Sequence, residues 1–261
     1  QGFLRAMRIA AALGLVLLLA GCAQTGARTG APKAAKSDAP GSDQTRAIGD
    51  SVASFDPKQI GKSDVDRVAD IHRREVFASL RVLAEKLYRR NPREWKKGGH
   101  AGVEIALDRL LDPRTGWRLP AAAGRRGTDA MSLALREDFG GDRVAVFVAG
   151  VGDMLNVAFD EKTEFFMLDE LDPQKLYNSA RNLEVAAWKL ANARDAGGAL
   201  LLLSNDMTQQ PANLSFEREF GKMIGNLDLL AALIADKGHR TIARVAQSLA
   251  TAVFLPVAGL R

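Results

Sequence analysis

Large apolar residues recur three and four positions apart in five separate stretches of this chain, and that spacing limits it to a helical fold. From Ser63 to Asn91, the residues Val65, Ala69, His72, Val76, Leu80, Leu83 and Leu87 keep the alternation, which places them on one face of a helix. Ser63 with Asp66 three later fits a capping pattern, and Pro92 discourages continuation. Asp172-Pro173 opens a second helix, with Asp at the cap and Pro at the first turn. Its stripe is Leu176, Ala180, Leu183, Ala187 and Leu190, and Gly197-Gly198 closes it. Ser215 is the expected cap of a third helix, whose stripe is Phe216, Phe220, Ile224, Leu227, Leu230 and Ile234, with Gly238 as its stop. A final helix is expected over residues 241–254, with Ile242, Val245, Leu249 and Val253 inward and Pro256 after it.

Residues 143–159 are the most apolar internal stretch. As a helix, Val144, Val148, Val151, Leu155 and Phe159 line one side, with Phe147, Met154 and Ala158 widening it. Such width suits a central helix buried on most faces. As a strand, 144–148 would pair near 164–168 in an α+β fold; the helix is the preferred reading. Asp153 argues against a membrane span. Shorter helices are expected at 103–111, ended by Asp112-Pro113, and at 128–138, capped by Thr128. Residues 113–127 are rich in Pro, Gly and Arg and suit an exposed loop. The fold class is therefore all-α, an irregular bundle of about six or seven helices behind a flexible N-terminal tether.

Cys22 is the one cysteine of the chain and ends Leu19-Ala20-Gly21-Cys22. Arg8 precedes an uncharged apolar run over 9–20, which is shorter than the roughly 20 residues a bilayer requires. A basic start, a short apolar run and a small residue before the cut mark a secretory signal. The segment resembles the lipobox signal of bacterial lipoproteins. That resemblance implies cleavage before Cys22, a diacylglycerol thioether on its sulfur and N-acylation with a chain such as palmitate. Several acyl chains together hold firmly, at about 0.8 kcal/mol per buried CH₂. Ala23 in place of Asp implies sorting to the periplasmic face of the outer membrane. The chain begins with Gln1, and Met7 is the expected true start. Three regions result: a signal over 1–21, a lipidated cysteine and tether over 22–60, and a helical domain over 61–261. Residues 23–47 contain no Leu, Ile, Val, Met or aromatic residue, so they lack the apolar surface that folding needs.

Residues 1–21 hold two arginines and no acid, so 36 − 2 = 34 basic residues face 31 acids from Cys22 onward, a net charge of +3. No basic recognition motif accompanies that small excess, and no nucleic-acid partner is expected. With Cys22 lipidated, no thiol remains for a disulfide, a thiolate metal site or a nucleophile. His72, His100 and His239 lack the short spacing of a zinc helix. His72 suits the core edge, His100 a turn and His239 a helix junction. Asp160, Glu161, Glu164, Asp169, Glu170 and Asp172 are acid-rich without the calcium-loop spacing; capping and solvation explain them. Gly150-Val151-Gly152 lacks the third glycine of a dinucleotide fingerprint and suits close helix packing. No nucleophile elbow or Walker pattern occurs. Glu184, Glu217 and Glu219 look like ordinary helix-face acids. No catalytic residue, metal or cofactor is assigned.

One cluster invites a partner. Lys86, Arg89, Arg90, Arg93, Lys96 and Lys97 surround Trp95, and cations suit a helix C-terminus. They are also candidate contacts for anionic lipid headgroups. Phe165-Phe166-Met167-Leu168 should be buried on both sides, or form a partner surface if exposed. The leading functional expectation is a membrane-anchored accessory that binds an envelope protein. A carrier or sensor of a hydrophobic or anionic small molecule is the alternative, and a hydrolase whose residues converge only in space is the third.

Overall fold

The computed structural model describes residues 61–205, 213–245, 248–249 and 251–258. The signal segment, Cys22 and the tether lie outside the described residues. Within them the domain is helical, with seven α-helices: α1 (Asp64–Arg90), α2 (Pro92–Lys97), α3 (Val103–Leu110), α4 (Gly127–Ala134), α5 (Arg143–Ala158), α6 (Pro173–Asn192) and α7 (Ser215–Lys237). Helix α1 packs on α7 and α5, α6 runs along α7 and touches α5, α4 lies along α5, and α2 with α3 closes the end between α1 and α5. No described helix is long and apolar enough to cross a membrane.

Helix α1 starts where its chemistry dictates. Ser63 Oγ accepts the Asp66 N–H while Asp66 Oδ2 accepts the Ser63 N–H at 2.7 Å, which satisfies two otherwise orphaned donors. Asn91 ends it and does a second job. Its side chain donates to Leu87 O at 2.9 Å and to Leu203 O at 2.8 Å, and accepts Leu203 N–H at 2.7 Å. The 200–203 run is thereby held extended, with Leu202 buried and Leu203 half exposed.

Helix α5 is the central element. Thirteen of its sixteen residues are buried, so the strand alternative at 144–148 and 164–168 is overturned: 143–158 is helical and 164–168 is irregular. Asp142 caps it, accepting Ala145 N–H at 2.9 Å. Its two buried charges both serve α4. Asp153 takes Arg126, the residue before α4, and the Arg143 guanidinium donates to Ala134 O, Arg136 O and Glu137 O at 2.7, 2.6 and 3.1 Å. Anion at the start and cation at the end complement the α4 dipole. Between them, a Cβ on Gly150 would fall 2.6 Å from Gly127 O, so the glycine lets the two antiparallel backbones touch.

Four expected boundaries differ. Arg126 rather than Thr128 precedes α4, without a side-chain cap. Helix α4 also stops at Ala134, where Arg143 takes the outgoing carbonyls. Ser215 is the first helical residue of α7; Leu214 holds the cap position, and Asn213 Oδ1 accepts Ser215 N–H at 3.1 Å. Helix α6 ends at Asn192, short of Gly197-Gly198, which form the turn of a small Arg194–Leu200 bridge.

The expected helix over 241–254 is absent from its described residues. Side chains of α6 take its backbone instead. Gln174 exchanges hydrogen bonds with Ala243 N–H and O (2.8 and 3.1 Å), Asn182 does the same with Leu255 (2.6 and 2.9 Å), and Asn178 donates to Pro256 O at 2.7 Å. These bonds compete directly with the i→i−4 ladder a helix needs.

Candidate functional site

The cleft that best combines space with chemistry lies between the end of α1, helices α2 and α3, the 115–121 loop and the start of α5. Its volume is about 480 Å³, within the range of ligand sites. Leu110, Leu119, Pro120, Ala106, Ala121 and Ala145 supply apolar wall, and Tyr88, Lys97, His100, Arg109, Arg118 and Asp142 supply polarity.

The floor is a buried hydrogen-bonded pair. Tyr88 OH donates to Asp142 Oδ2 at 2.9 Å, and both residues are buried. Burial raises the Asp142 carboxyl above its ordinary value, although the Ala145 N–H and Tyr88 OH bonds oppose that. Burial, reinforced by Asp142, also pushes the Tyr88 phenol up, which keeps it a neutral donor. Gly98 leaves this floor open. A Cβ there would lie 2.8 Å from His100 Cδ2 and 3.0 Å from Asp142 Oδ2. Beside it, the buried Glu94 carboxylate accepts Arg143 N–H at 2.7 Å and pairs with Lys97 at 2.7 Å.

The mouth is different. Arg109 and Arg118 are exposed and line the cleft, and their guanidinium groups form no ion pair or hydrogen bond with any described residue. An uncompensated pair of guanidinium groups over an apolar wall can take an anion bidentately.

The basic cluster singled out in the sequence does not form one patch. Lys86 turns to α7, where it pairs with buried Glu219 at 3.0 Å and donates to Ser215 O at 3.0 Å. Arg89 pairs with Glu85 and Glu104. Arg90 is half-buried. Arg93 and Lys96 are exposed on α2 without an ion pair to a described residue, and Lys96 lies 5.3 Å from the Trp95 ring centroid. Trp95 itself packs against the core, with its indole N–H buried. Only Lys97 of the seven lines the cleft.

The other candidates are occupied structurally. His72 Nδ1 meets Asn226 Oδ1 at 2.7 Å, tying α1 to α7. His239 is an exposed residue after α7. Lys162 pairs with Asp160 and Asp169, Arg240 with Glu170, Lys62 with Glu164, and Asp172 caps α6. Among the described residues no group of His, Cys, Asp and Glu could hold a metal ion. Glu219 is no ordinary surface acid, being buried between Lys86 and Lys222. Phe165 is buried and Phe166 half-buried, but Met167 and Leu168 are 62% and 95% exposed. The reason is a tight turn, in which Asp169 Oδ2 accepts Phe166 N–H at 2.9 Å and Asp169 N–H donates back to Phe166 O at 2.8 Å.

No protein-family model, curated protein or solved structure matches this chain.

Proposed function

We propose that this chain is a lipid-anchored binding protein of the cell envelope whose helical domain holds a small anion with an apolar body, as a carrier or sensor. The observation that carries this is the cleft of about 480 Å³, with unpaired Arg109 and Arg118 at its mouth and the buried Tyr88–Asp142 pair at its floor. The anionic end meets the arginines, the body lies on Leu110 and Leu119, and a donor on the ligand meets Asp142 or His100. The lipobox at Cys22 supports an anchor on the periplasmic face of the outer membrane. Exposed Arg93 and Lys96, next to Lys97 on α2, extend positive charge from the mouth toward headgroups.

The test is to purify the full-length lipidated chain from cells in mild detergent, beside Cys22→Ser and Arg109→Gln/Arg118→Gln. Native mass spectrometry then reads what remains bound, and a lipid extract separates lipid from water-soluble anions. A stoichiometric anion lost in the double arginine variant is the expected result. A bound molecule indifferent to both arginines, or an empty chain that also fails to bind an anion library, would overturn this assignment.

The accessory reading keeps one specific support. Leu168 beside Met167 is the most exposed large apolar pair of the described residues, and an envelope protein is the partner it suits. A near-stoichiometric protein recovered only with the anchored form, and lost on Leu168→Ser, is its signature.

A further inference from the structure

The 111–121 loop separates the cleft described above from a second one. That second cleft, of about 470 Å³, is lined on the α1 side by Arg73, Phe77 and Arg81, by Pro113 and Trp117 of the loop, and by Glu161 beyond α5. Its walls are aromatic. Phe77 and Trp117 stack at 5.9 Å with 24° between planes, and the Arg73 guanidinium lies 4.6 Å from the Phe77 centroid. The Trp117 ring is pressed onto α5, where a Cβ on Gly152 would fall 2.4 Å from it. No other side chain would allow that approach.

Two features mark this cleft as more than packing. Two of the five non-glycine described residues with positive φ line it, Trp117 at 63° and Glu161 at 57°. For a bulky residue this region is an outlier that surrounding structure must impose, and such outliers cluster at binding sites. The second feature is Arg73. It is half-buried, forms no ion pair with a described residue, and its Nε–H is buried without an acceptor. Burial pushes its guanidinium below the usual value, with Asp70 only partly offsetting that. Asp70 is already engaged by Lys62 and by Phe165 N–H. The guanidinium lines the cleft with its charge unpaired, and a carboxylate there would meet it in a charge-assisted hydrogen bond.

We propose that this cleft is a binding site for a planar aromatic monocarboxylate, its ring against Phe77 and Trp117 and its carboxylate on the Arg73 fork. Arg81, held only loosely to Asp108 at 3.7 Å, adds a second cation at the edge. The acids nearby set the charge limit. Asp112 is neutralised by the bidentate Arg114 fork, whereas Glu161 is exposed at the rim and disfavours a second negative charge. The site shares no lining residue with the first cleft and does not rest on the function proposed above.

The test uses the full chain with ¹⁵N-labelled tryptophan. The Trp117 indole N–H signal is identified by its loss in Trp117→Phe. Naphthalene-2-carboxylate is titrated, with naphthalene-2-carboxamide and naphthalene-2,6-dicarboxylate beside it. The expected result is a saturable shift at Trp117, absent at Trp95 and Trp188. Affinity should fall about 10-fold or more for the amide and in Arg73→Met, since hydrogen bonds to charged groups are the strong ones. Arg73→Lys keeps the charge without the planar fork and falls between, so it decides the matter if Arg73→Met does not fold. Equal affinity for acid and amide, indifference to both Arg73 variants, or equal shifts at all three indoles would overturn the proposal. Tighter binding of the dicarboxylate would overturn the role given to Glu161.

Discussion

Replacing Gly150 by alanine sets two opposed effects against each other. In a helix interior alanine is better than glycine by about 1 kcal/mol, so α5 taken alone would gain. The new Cβ, however, falls 2.6 Å from Gly127 O and 2.8 Å from Met131 N, against ordinary contact beginning at 3.4 Å. Both neighbours are backbone of α4 and cannot swing aside. The helices must part by something near the shortfall of about 0.8 Å, and gaps of about 0.5–1 Å forfeit a quarter to a half of each contact's attraction. Such overpacking costs about 1–3 kcal/mol, sometimes more. It also pulls at the Arg126–Asp153 and Arg143–carbonyl ties at the two ends of α4. The net expectation for Gly150→Ala is a loss of about 1–2 kcal/mol, read by urea denaturation with the m-value checked for constancy. Gly221 and Gly225 of α7 are the internal control. They are exposed, with nothing within 4 Å of a built Cβ, and alanine there should gain about 0.5–1 kcal/mol each. If Gly150→Ala proves as stable as the parent, or if the three glycines behave alike, the close α4–α5 contact is not what holds this position to glycine.

Asp142→Ala should lose about 2 kcal/mol, because it removes a cap and leaves the buried Tyr88 hydroxyl unpaired. Asp142→Asn keeps the cap through Oδ1 and can donate from Nδ2 to the Tyr88 oxygen, although Tyr88 OH loses its acceptor, and it should cost less than alanine. Because burial raises the Asp142 carboxyl in the fold, its contribution is fullest below the unfolded value of about 4 and is lost as pH rises through the raised one. The parent should therefore lose ground to Asp142→Asn as pH rises above about 4, and urea midpoints showing the opposite trend would refute the buried-carboxyl account. Asn182→Ala strands both backbone groups of Leu255 and should cost about 2 kcal/mol, with hydrogen exchange at Leu255 accelerating before that of α6. Of the six cations around Trp95, neutralising only Arg93 and Lys96 should account for most of any vesicle binding; equal loss on neutralising Lys86 and Arg89 would contradict their engagement with Glu219, Glu85 and Glu104.

The main helices were legible because apolar spacing and capping chemistry agree there. Ser63 with Asp66, and Asp172 with Pro173, both start helices within one residue of the sequence expectation. The C-terminal segment misled for a definite reason. Ile242, Val245, Leu249 and Val253 keep a helical period, yet Val253 is 68% exposed, because the amides of α6 outbid the local pattern. A signal for this existed in Gln174, Asn178 and Asn182, three carboxamides four apart on one face of α6. Both clefts were hidden, since Tyr88, His100 and Asp142 are brought together only by packing, as are Arg73 and Trp117. The two glycines of α5 were read together as close-packing residues, and they divide the work: Gly150 admits a helix and Gly152 admits an indole ring.

The carboxamide ladder of α6 has an outcome of its own. It grips amide and carbonyl groups, which every residue type but proline offers in full, and so is nearly blind to which side chains the gripped stretch carries. Ala243 and Leu255 can therefore change side chain at little cost to the ladder, while proline at either position would abolish a rung by deleting its donor. The three amides on α6 have no such latitude. In a lineage of related chains, variation and constraint should fall on opposite partners of the same contact.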